Sequence, residues 1–153
     1  MDERVLRDLH LDSAGVAVGV DLVAVSRIAA LVAEYGERFV HRVFTEREQA
    51  ECSRGTEETR LNSLAARWAA KEAVVKALGV GFGPVAYRDV EVVRDENGCP
   101  HVHLHGRAAE LAQARGLQHW AISLSHDAGL AAAFVVALTV RPAPESPADR
   151  CTA

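Results

Sequence analysis

The segment LNSLAARWAAKEAVVKALG, residues 61–79, is the stretch around which the rest of the chain must be arranged. It is rich in alanine, which has the highest helix propensity, and it ends at Gly79, a residue type that commonly follows a helix. Helical periodicity puts four large apolar side chains on one stripe that must face a core: Leu64, Trp68, Val75 and Leu78. A long packed helix is therefore predicted, after a polar break at residues 55–60.

Upstream of this helix the sequence predicts one strand and two shorter helices. Residues 15–25, GVAVGVDLVAV, are apolar and β-branched, as in a buried strand. Ser26 is expected to cap a helix that ends at Gly36. Thr45 and Glu48 have the spacing of a capping box, which opens a further helix.

Downstream of the helix the pattern becomes that of strands. Asn97-Gly98 is the strongest hairpin signal in the chain and joins two alternating segments. The predicted elements are a hairpin of residues 85–93 and 99–106, a helix at 107–116, and closing strands at 119–126 and 130–140. The order β-α-α-α-β-β-α-β-β indicates an α+β domain, with helices packed on a mainly antiparallel sheet.

The bulk composition is that of one soluble globular domain. Of 153 residues, 49% are hydrophobic and 25% charged. We expect a domain at residues 15–140, between a polar N-terminal extension (1–14) and a disordered tail (141–153) rich in proline and charge. Three widely spaced cysteines, no signal peptide and no membrane-spanning run indicate a cytoplasmic protein. The net charge of -4 argues against a nucleic-acid partner.

Three charged residues stand in unexpected surroundings. Glu72 and Lys76 are one helical turn apart beside small side chains, which would leave room for a ligand; an ordinary surface ion pair is the alternative. Asp21 interrupts an apolar strand, where a carboxylate must be paired, hydrogen-bonded or metal-bound, unless it caps the next helix. If Asp21 and Glu72 meet, they suit Mg²⁺, which takes one or two carboxylates with phosphate oxygens. The small side chains are Ala65, Ala69 and Ala73.

Basic residues and glycines along the same helix favour a phosphate-bearing ligand. Lys71 lies within the apolar stripe. Either its aliphatic stem extends so that the ammonium reaches solvent at the edge of the core, or the ammonium binds an anion. Arg67 and Lys76 add to the cationic character of the helix. The loop GVGFG, residues 79–83, would bring backbone groups close to a phosphate, although ordinary turns use glycine equally.

Histidines occur in two further patterns. Ser125 and His126 place a hydroxyl and an imidazole at a strand end, where a single histidine is more often structural. His101, His103 and His105 alternate and would share one face of a strand. A transition metal would suit them, but no cysteine or carboxylate joins the set, so we expect a solvated face.

A basic surface on the first helical segments is suited to an acidic protein partner. Interspersed glutamates make a merely solvated face the alternative. Its members are Arg27, Arg38, His41, Arg42 and Arg47.

Several of these segments, in order, resemble the holo-acyl-carrier-protein synthase family of phosphopantetheinyl transferases. GVDLVAVSRI (19–28) looks like the family's G-[IV]-D-[IL] strand, followed by its arginine. FTEREQAEC (44–52) is similar to its F-T-x-x-E helix opening. RWAAKEAVVKALG (67–79) matches its signature R-[FW]-A-x-K-E-A-x-x-K-A-x-G, and SLSHDAGLAAAFVV is like its S-[IL]-[ST]-H segment. The resemblance covers about residues 15–140.

The resemblance implies a 4′-phosphopantetheinyl transferase fold and a homotrimer with sites between subunits. It implies transfer of the 4′-phosphopantetheine group from coenzyme A to a serine of an acidic apo acyl carrier protein, releasing 3′,5′-ADP, with Mg²⁺ as cofactor. The carrier of a fatty-acid synthase or of a polyketide synthase would fit. Two other functions are a carrier-binding module without catalysis and a Mg²⁺-dependent phosphohydrolase that cleaves coenzyme A.

The resemblance also assigns roles to individual residues. Asp21 and Glu72 would bind Mg²⁺, and Glu72 and Lys76 would be catalytic. The base that deprotonates the serine is left open between Glu72, a metal-bound water and a carboxylate of the carrier. The coenzyme A contacts would be Arg67, Lys71, Lys76, Gly79, Gly81, Ser125 and His126. The carrier contacts would be Arg27, Arg38 and Arg42.

Overall fold

The long helix predicted from the sequence forms the centre of a domain that alternates short helices with antiparallel strands. A computed structural model describes residues 15–139, so the expected extension and tail lie outside the described residues. The elements are β1 (Val16–Ala24), α1 (Val25–Tyr35), α2 (Glu37–Val43), α3 (Glu46–Cys52), α4 (Glu57–Ala77), β2 (Val90–Arg94), β3 (Pro100–Leu104), α5 (Gly106–Ala114), β4 (Leu117–Asp127) and β5 (Leu130–Thr139). The α+β class is confirmed.

Three of the strands form one antiparallel sheet in the order β1-β5-β4, and β2 and β3 form a separate hairpin. In the sheet, Asp21 pairs with Ala133, which in turn pairs with Leu124. The turn between β4 and β5 has positive φ at Ala128 (48°) and Gly129 (77°), as a two-residue hairpin turn requires. Helix α4 packs across β1 and β5.

Helix boundaries follow the capping residues. Gly36, with φ of 57°, ends α1 as predicted. The Thr45–Glu48 capping box is present: the Glu48 N–H donates to Thr45 Oγ1 at 3.3 Å, and the Thr45 N–H donates to Glu48 Oε2 at 2.8 Å. These local signals are read correctly from sequence because donor and acceptor lie within one turn.

Other local predictions were wrong. Ser26 does not cap α1, because β1 runs straight into the helix and Ser26 lies within its first turn. The first N–H of the helix, that of Val25, donates to the Gly129 carbonyl at 2.8 Å. The expected polar break at residues 55–60 is the first turn of α4, capped by Thr56. Helix α2 was not predicted.

The hairpin of β2 and β3 is confirmed, with Asp95 accepting N–H bonds from Asn97 and Cys99 across its turn. Its first strand is shorter than predicted, because Tyr87–Asp89 form a 3₁₀ turn. In the part of the chain that the structure describes, no helix has the length and apolar character to cross a bilayer.

Candidate active site

From Leu64 onward, helix α4 is almost completely enclosed by the protein. Between Leu64 and Leu78 every residue is buried except Glu72, which is half-buried, and Lys76, which is exposed. The predicted apolar stripe does face the core. One acid and one base are thus the groups that this stretch of the central helix presents to a ligand.

The alanines beside this pair have a different purpose from the one expected. Ala65, Ala69 and Ala73 are fully buried, so they do not clear room for a ligand. A Cβ placed on Gly19 would lie 1.8 Å from the Ala73 carbonyl oxygen. The small residues therefore let the backbones of α4 and β1 touch, as glycine in a strand often does.

This close approach carries Asp21 to the charged pair. Asp21 lies on the same face of β1 as Gly19 and Val23, toward the helix. Lys76 Nζ donates to Asp21 Oδ1 and to the Val20 carbonyl, each at 2.9 Å. The Asp21 side chain is 17% exposed and that of Lys76 53%. Asp21 is thus ion-paired across two elements and does not act as a helix cap.

The Glu72 carboxylate lies in the electrostatic field of this pair. Its pKa is raised above the ordinary value, first by partial burial and then by the negative charge of Asp21. Lys76 and Arg27 oppose the shift. Two carboxylates are therefore close enough to repel each other, which is a condition that a bound cation would relieve.

The donor chemistry of this pair fits Mg²⁺. Both side chains offer oxygen only, and Mg²⁺ is commonly bound by one or two carboxylates, with substrate phosphates completing its shell. Within residues 15–139 no group of three or more His, Cys, Asp or Glu side chains could hold a metal by itself. Two carboxylates leave coordination positions that the phosphate oxygens of a ligand would fill.

Trp68, predicted as part of the apolar stripe, forms one wall of the site together with Tyr87 and Phe82, which were not predicted as site residues. Tyr87 stacks on Trp68 with ring centroids 4.9 Å apart, and Phe82 stacks on Tyr87 at 3.9 Å. The Arg27 guanidinium lies 5.9 Å from the centroid of the Trp68 ring. The pKa of Tyr87 is raised by burial and by Glu72. The one available signal was an aromatic residue within the glycine loop.

Two residues expected to bind coenzyme A are instead inside the protein. Lys71 is fully buried and donates to Glu48 Oε2 at 2.8 Å and to two backbone carbonyls. Arg67 is 3% exposed and donates to Glu51 Oε2 at 2.5 Å. Side chains of α3 already supply the counter-charges of both residues, so the geometry of this chain gives no support to their expected contacts with coenzyme A.

The other expected coenzyme A residues are divided between two faces. Gly79 and Gly81 are exposed just after α4, on the loop that leads to Phe82. Ser125 pairs through Ala132 with Leu22, on the sheet face that points away from α4. His126 is on the α4 side but two strands from β1, about 10 Å between backbones. One chain therefore does not bring Ser125 to Glu72.

The expected carrier contacts lie on one continuous surface. Arg38 and Arg42 line a groove with apolar walls from Leu31, Tyr35 and Phe39. Arg27 lies one turn before Leu31 on α1, which is itself one turn before Tyr35. A stripe therefore runs from beside Glu72 to this groove.

The alternating histidines have separate partners. His101 Nε2 lies 3.0 Å from Asp95 Oδ2, and His105 Nε2 lies 3.5 Å from Glu91 Oε2. His101, His103 and His105 are exposed on β3 and its end. The geometry favours the solvated face.

The chain is similar to proteins of one known family. A family model described as the 4′-phosphopantetheinyl transferase superfamily matches residues 17–138. The chain is 51% identical over 130 residues to the holo-[acyl-carrier-protein] synthase of Chloroflexus aurantiacus, covering 78% of this chain and 95% of that protein. It is 48% identical over 118 residues to that of Gloeobacter violaceus, covering 77% and 89%.

Solved structures agree with these matches. The holo-[acyl-carrier-protein] synthase of Neisseria meningitidis superposes with a TM-score of 0.71 at 32% identity, covering 79% of this chain and 96% of that chain. The Helicobacter pylori enzyme in complex with coenzyme A superposes with a TM-score of 0.69 at 30% identity, covering 78% and 98%.

Proposed function

The chain belongs to the 4′-phosphopantetheinyl transferase superfamily, and we propose from this premise that it is a holo-[acyl-carrier-protein] synthase. It transfers the 4′-phosphopantetheine group of coenzyme A to a serine of an apo acyl carrier protein. The observation that carries the site assignment is that Asp21 of β1 meets the two charged residues of α4 that stay accessible between Leu64 and Leu78. Lys76 pairs with Asp21, and Glu72 lies in the field of this pair.

The reaction forms a bond from the serine oxygen to the pantetheine-side phosphorus and breaks the pyrophosphate bond, so that 3′,5′-ADP leaves. When bound at Asp21 and Glu72, Mg²⁺ would offset negative charge on the pyrophosphate oxygens. Lys76 is half exposed and keeps an ammonium N–H for a phosphate oxygen beyond its two protein bonds. The group that takes the serine proton stays open between Glu72, whose pKa is raised, a water molecule and a carboxylate of the carrier.

The carrier would dock along the stripe from Arg27 to the groove at Arg38 and Arg42. The acyl carrier proteins that this family modifies are acidic. Exposed arginines attract and orient such a partner. The apolar side chains in the groove offer contact area between the charges. Docking there would present the carrier serine at the end where Arg27 adjoins Glu72.

Coenzyme A would lie along the loop that begins at Gly79 and Gly81, next to the stacked Phe82 and Tyr87. The pyrophosphate of coenzyme A would then lie within reach of Lys76, in the last turn of α4. The exposed loop backbone allows close approach of a phosphate at Gly81, where a Cβ would meet nothing within 4 Å.

We also propose the homotrimer that the family resemblance implies. The sheet face opposite α4 exposes a contiguous apolar surface, which is unusual for a monomer. Its largest members are Val16, Val18, Val20, Leu22, Leu130, Phe134 and Leu138. Ser125 lies on that face, so in an assembly it would join the site of a neighbouring subunit.

The unpaired Cys52 and Cys99 support action in the reducing cytoplasm.

The test is incubation of the purified protein with coenzyme A, Mg²⁺ and an apo acyl carrier protein, followed by mass spectrometry of the carrier. The proposal expects the added mass of phosphopantetheine on the carrier serine and release of 3′,5′-ADP. Coenzyme A cleavage without carrier would indicate a phosphohydrolase instead. Carrier binding with neither product would indicate a non-catalytic module.

A further inference from the structure

The buried ion pair of Lys71 and Glu48 lies directly behind the candidate site. Lys71 precedes Glu72 in α4, and neither Lys71 nor Glu48 is exposed to solvent. The Lys71 ammonium donates to Glu48 Oε2 at 2.8 Å, to the Tyr87 carbonyl at 3.0 Å, and to the Val90 carbonyl. All three of its N–H donors are therefore used within the protein.

The Tyr87 carbonyl belongs to the segment that returns from the end of α4 to β2, residues 78–89, and the Val90 carbonyl belongs to the first residue of β2. This segment leaves the helix just beyond Lys76 and comes back beside it, where Tyr87 stacks on Trp68, one turn before Glu72. Lys71 binds the carbonyl of Tyr87, the first residue of the 3₁₀ turn at the returning end of this segment, and that of Val90, the residue just after the turn. Lys71 therefore holds the end of this segment to α4 at the residue next to Glu72.

A second ion pair joins the same two helices and provides an internal comparison. Arg67, one turn earlier on α4, pairs with Glu51 of α3. Its other bonds go to the carbonyls of Ser63 and Val92, in α4 and β2. Both pairs fasten α3 to α4, but the Lys71 pair alone of the two also holds the returning segment.

We propose that Lys71 is a positioning residue that fixes residues 78–89 as the wall against which coenzyme A binds. This inference rests on the proposed function for the identity of the ligand. A wall held by a buried ammonium keeps Tyr87 and Phe82 in one arrangement before the ligand arrives, which limits the ordering that binding must otherwise impose. Glu48 holds the ammonium in turn, and its Oε1 accepts the Val92 N–H at 2.9 Å.

The test compares two double variants, each of which neutralises one ion pair without leaving a buried charge: E48Q/K71M and, as the matched control, E51Q/R67M. We expect E48Q/K71M to raise the KM for coenzyme A about tenfold while kcat changes less than about threefold, and the control to change KM less than about twofold. Amide hydrogen exchange in residues 78–89 should accelerate about tenfold or more in E48Q/K71M alone.

Equal KM and equal exchange in the two double variants, with circular dichroism showing both folded, would overturn the proposal. If the methionine variant does not fold, E48Q/K71Q, which keeps an amide donor at position 71, replaces it with the same two readouts. Hydrogen exchange does not depend on activity. A wild-type protein that transfers nothing would therefore refute the proposed function, while exchange would still decide the role of Lys71.

Discussion

Gly19 of β1 and Ala73 of α4 are in backbone contact, so that any side chain at position 19 would overlap the Ala73 carbonyl oxygen. This contact determines how close the helix lies to the strand. It therefore also determines whether Lys76 reaches Asp21. Lys76 Nζ and Asp21 Oδ1 are 2.9 Å apart.

The first prediction is that Gly19→Ala separates α4 from β1. The forced overlap should lower the free energy of unfolding by about 1–3 kcal/mol, as overpacking generally does. Transfer activity should fall more than stability explains, because Asp21 and Lys76 move apart. Urea unfolding and the carrier-mass assay measure the two effects. Gly81→Ala is the stability control, since its Cβ would meet nothing within 4 Å; equal stability losses in both variants would refute the close-contact interpretation.

The second prediction concerns carrier docking. Charge reversal in the R38E/R42E variant should raise the KM for the apo-carrier about tenfold or more at low salt, and less at high salt, because exposed charges are screened. The KM for coenzyme A should stay within about twofold. Arg107→Glu on α5, where the native arginine pairs with Glu110, is the matched control. An unchanged carrier KM in R38E/R42E would place the docking surface elsewhere.

The third prediction concerns assembly. Phe134 is 47% exposed on the apolar outer face of the sheet. We expect Phe134→Asp to convert the proposed trimer to monomers, since a charge buried in an apolar interface is costly. Light scattering coupled to size exclusion measures the mass. Tyr35→Asp, on the groove of α1, should leave the mass unchanged. A trimer that persists in the Phe134→Asp variant would contradict the proposed interface.

The fourth prediction is a pH dependence of stability. Burial tends to raise the pKa of Glu91, but the Thr45 hydroxyl, Arg47 and His105 outweigh it and hold the pKa below its ordinary value of 4.5. A depressed pKa gives stability that is present above the unfolded-state pKa and is lost as pH falls through the folded-state pKa.

Glu91→Gln should therefore lower the free energy of unfolding at pH 7, by about 1 kcal/mol, and reduce its decline on the acid side of pH 4.5. Urea titrations across that range measure both quantities. Glu110→Gln, at an exposed ion pair, should leave the acid-side decline as it is in the wild type. An acid-side decline in Glu91→Gln as steep as in the wild type would count against the assignment.

The sequence predicted those features whose causes are local. The apolar stripe of α4, the capping box at Thr45 and the hairpin turn at Asn97-Gly98 each depend on residues that are near one another in sequence. Helix α2, with seven residues between Gly36 and Phe44, is too short to give a strong periodic signal.

The errors about the site concern contacts between distant segments. Lys71 and Arg67 look like ligands for an anion until α3 brings Glu48 and Glu51 against them. From sequence alone, the small side chain of Ala73 suggests open space for a ligand. In the structure, the backbone of Gly19 occupies that space. The approach of Asp21 to Glu72 depends on the same packing. A glycine and an aspartate in one apolar strand were the visible signals, but their partner could not be identified from spacing alone.

The most direct test of the whole account is the carrier-mass measurement on Glu72→Gln. Glu58→Gln serves as the matched control, an exposed position in the first turn of the same helix, about four turns away. With coenzyme A, Mg²⁺ and apo-carrier, we expect Glu58→Gln to modify the carrier at the wild-type rate. Glu72→Gln should be slower by about a hundredfold or more while folding normally. Modification by Glu72→Gln at the wild-type rate would contradict the assignment of Glu72, and with it the site built around Asp21 and Lys76.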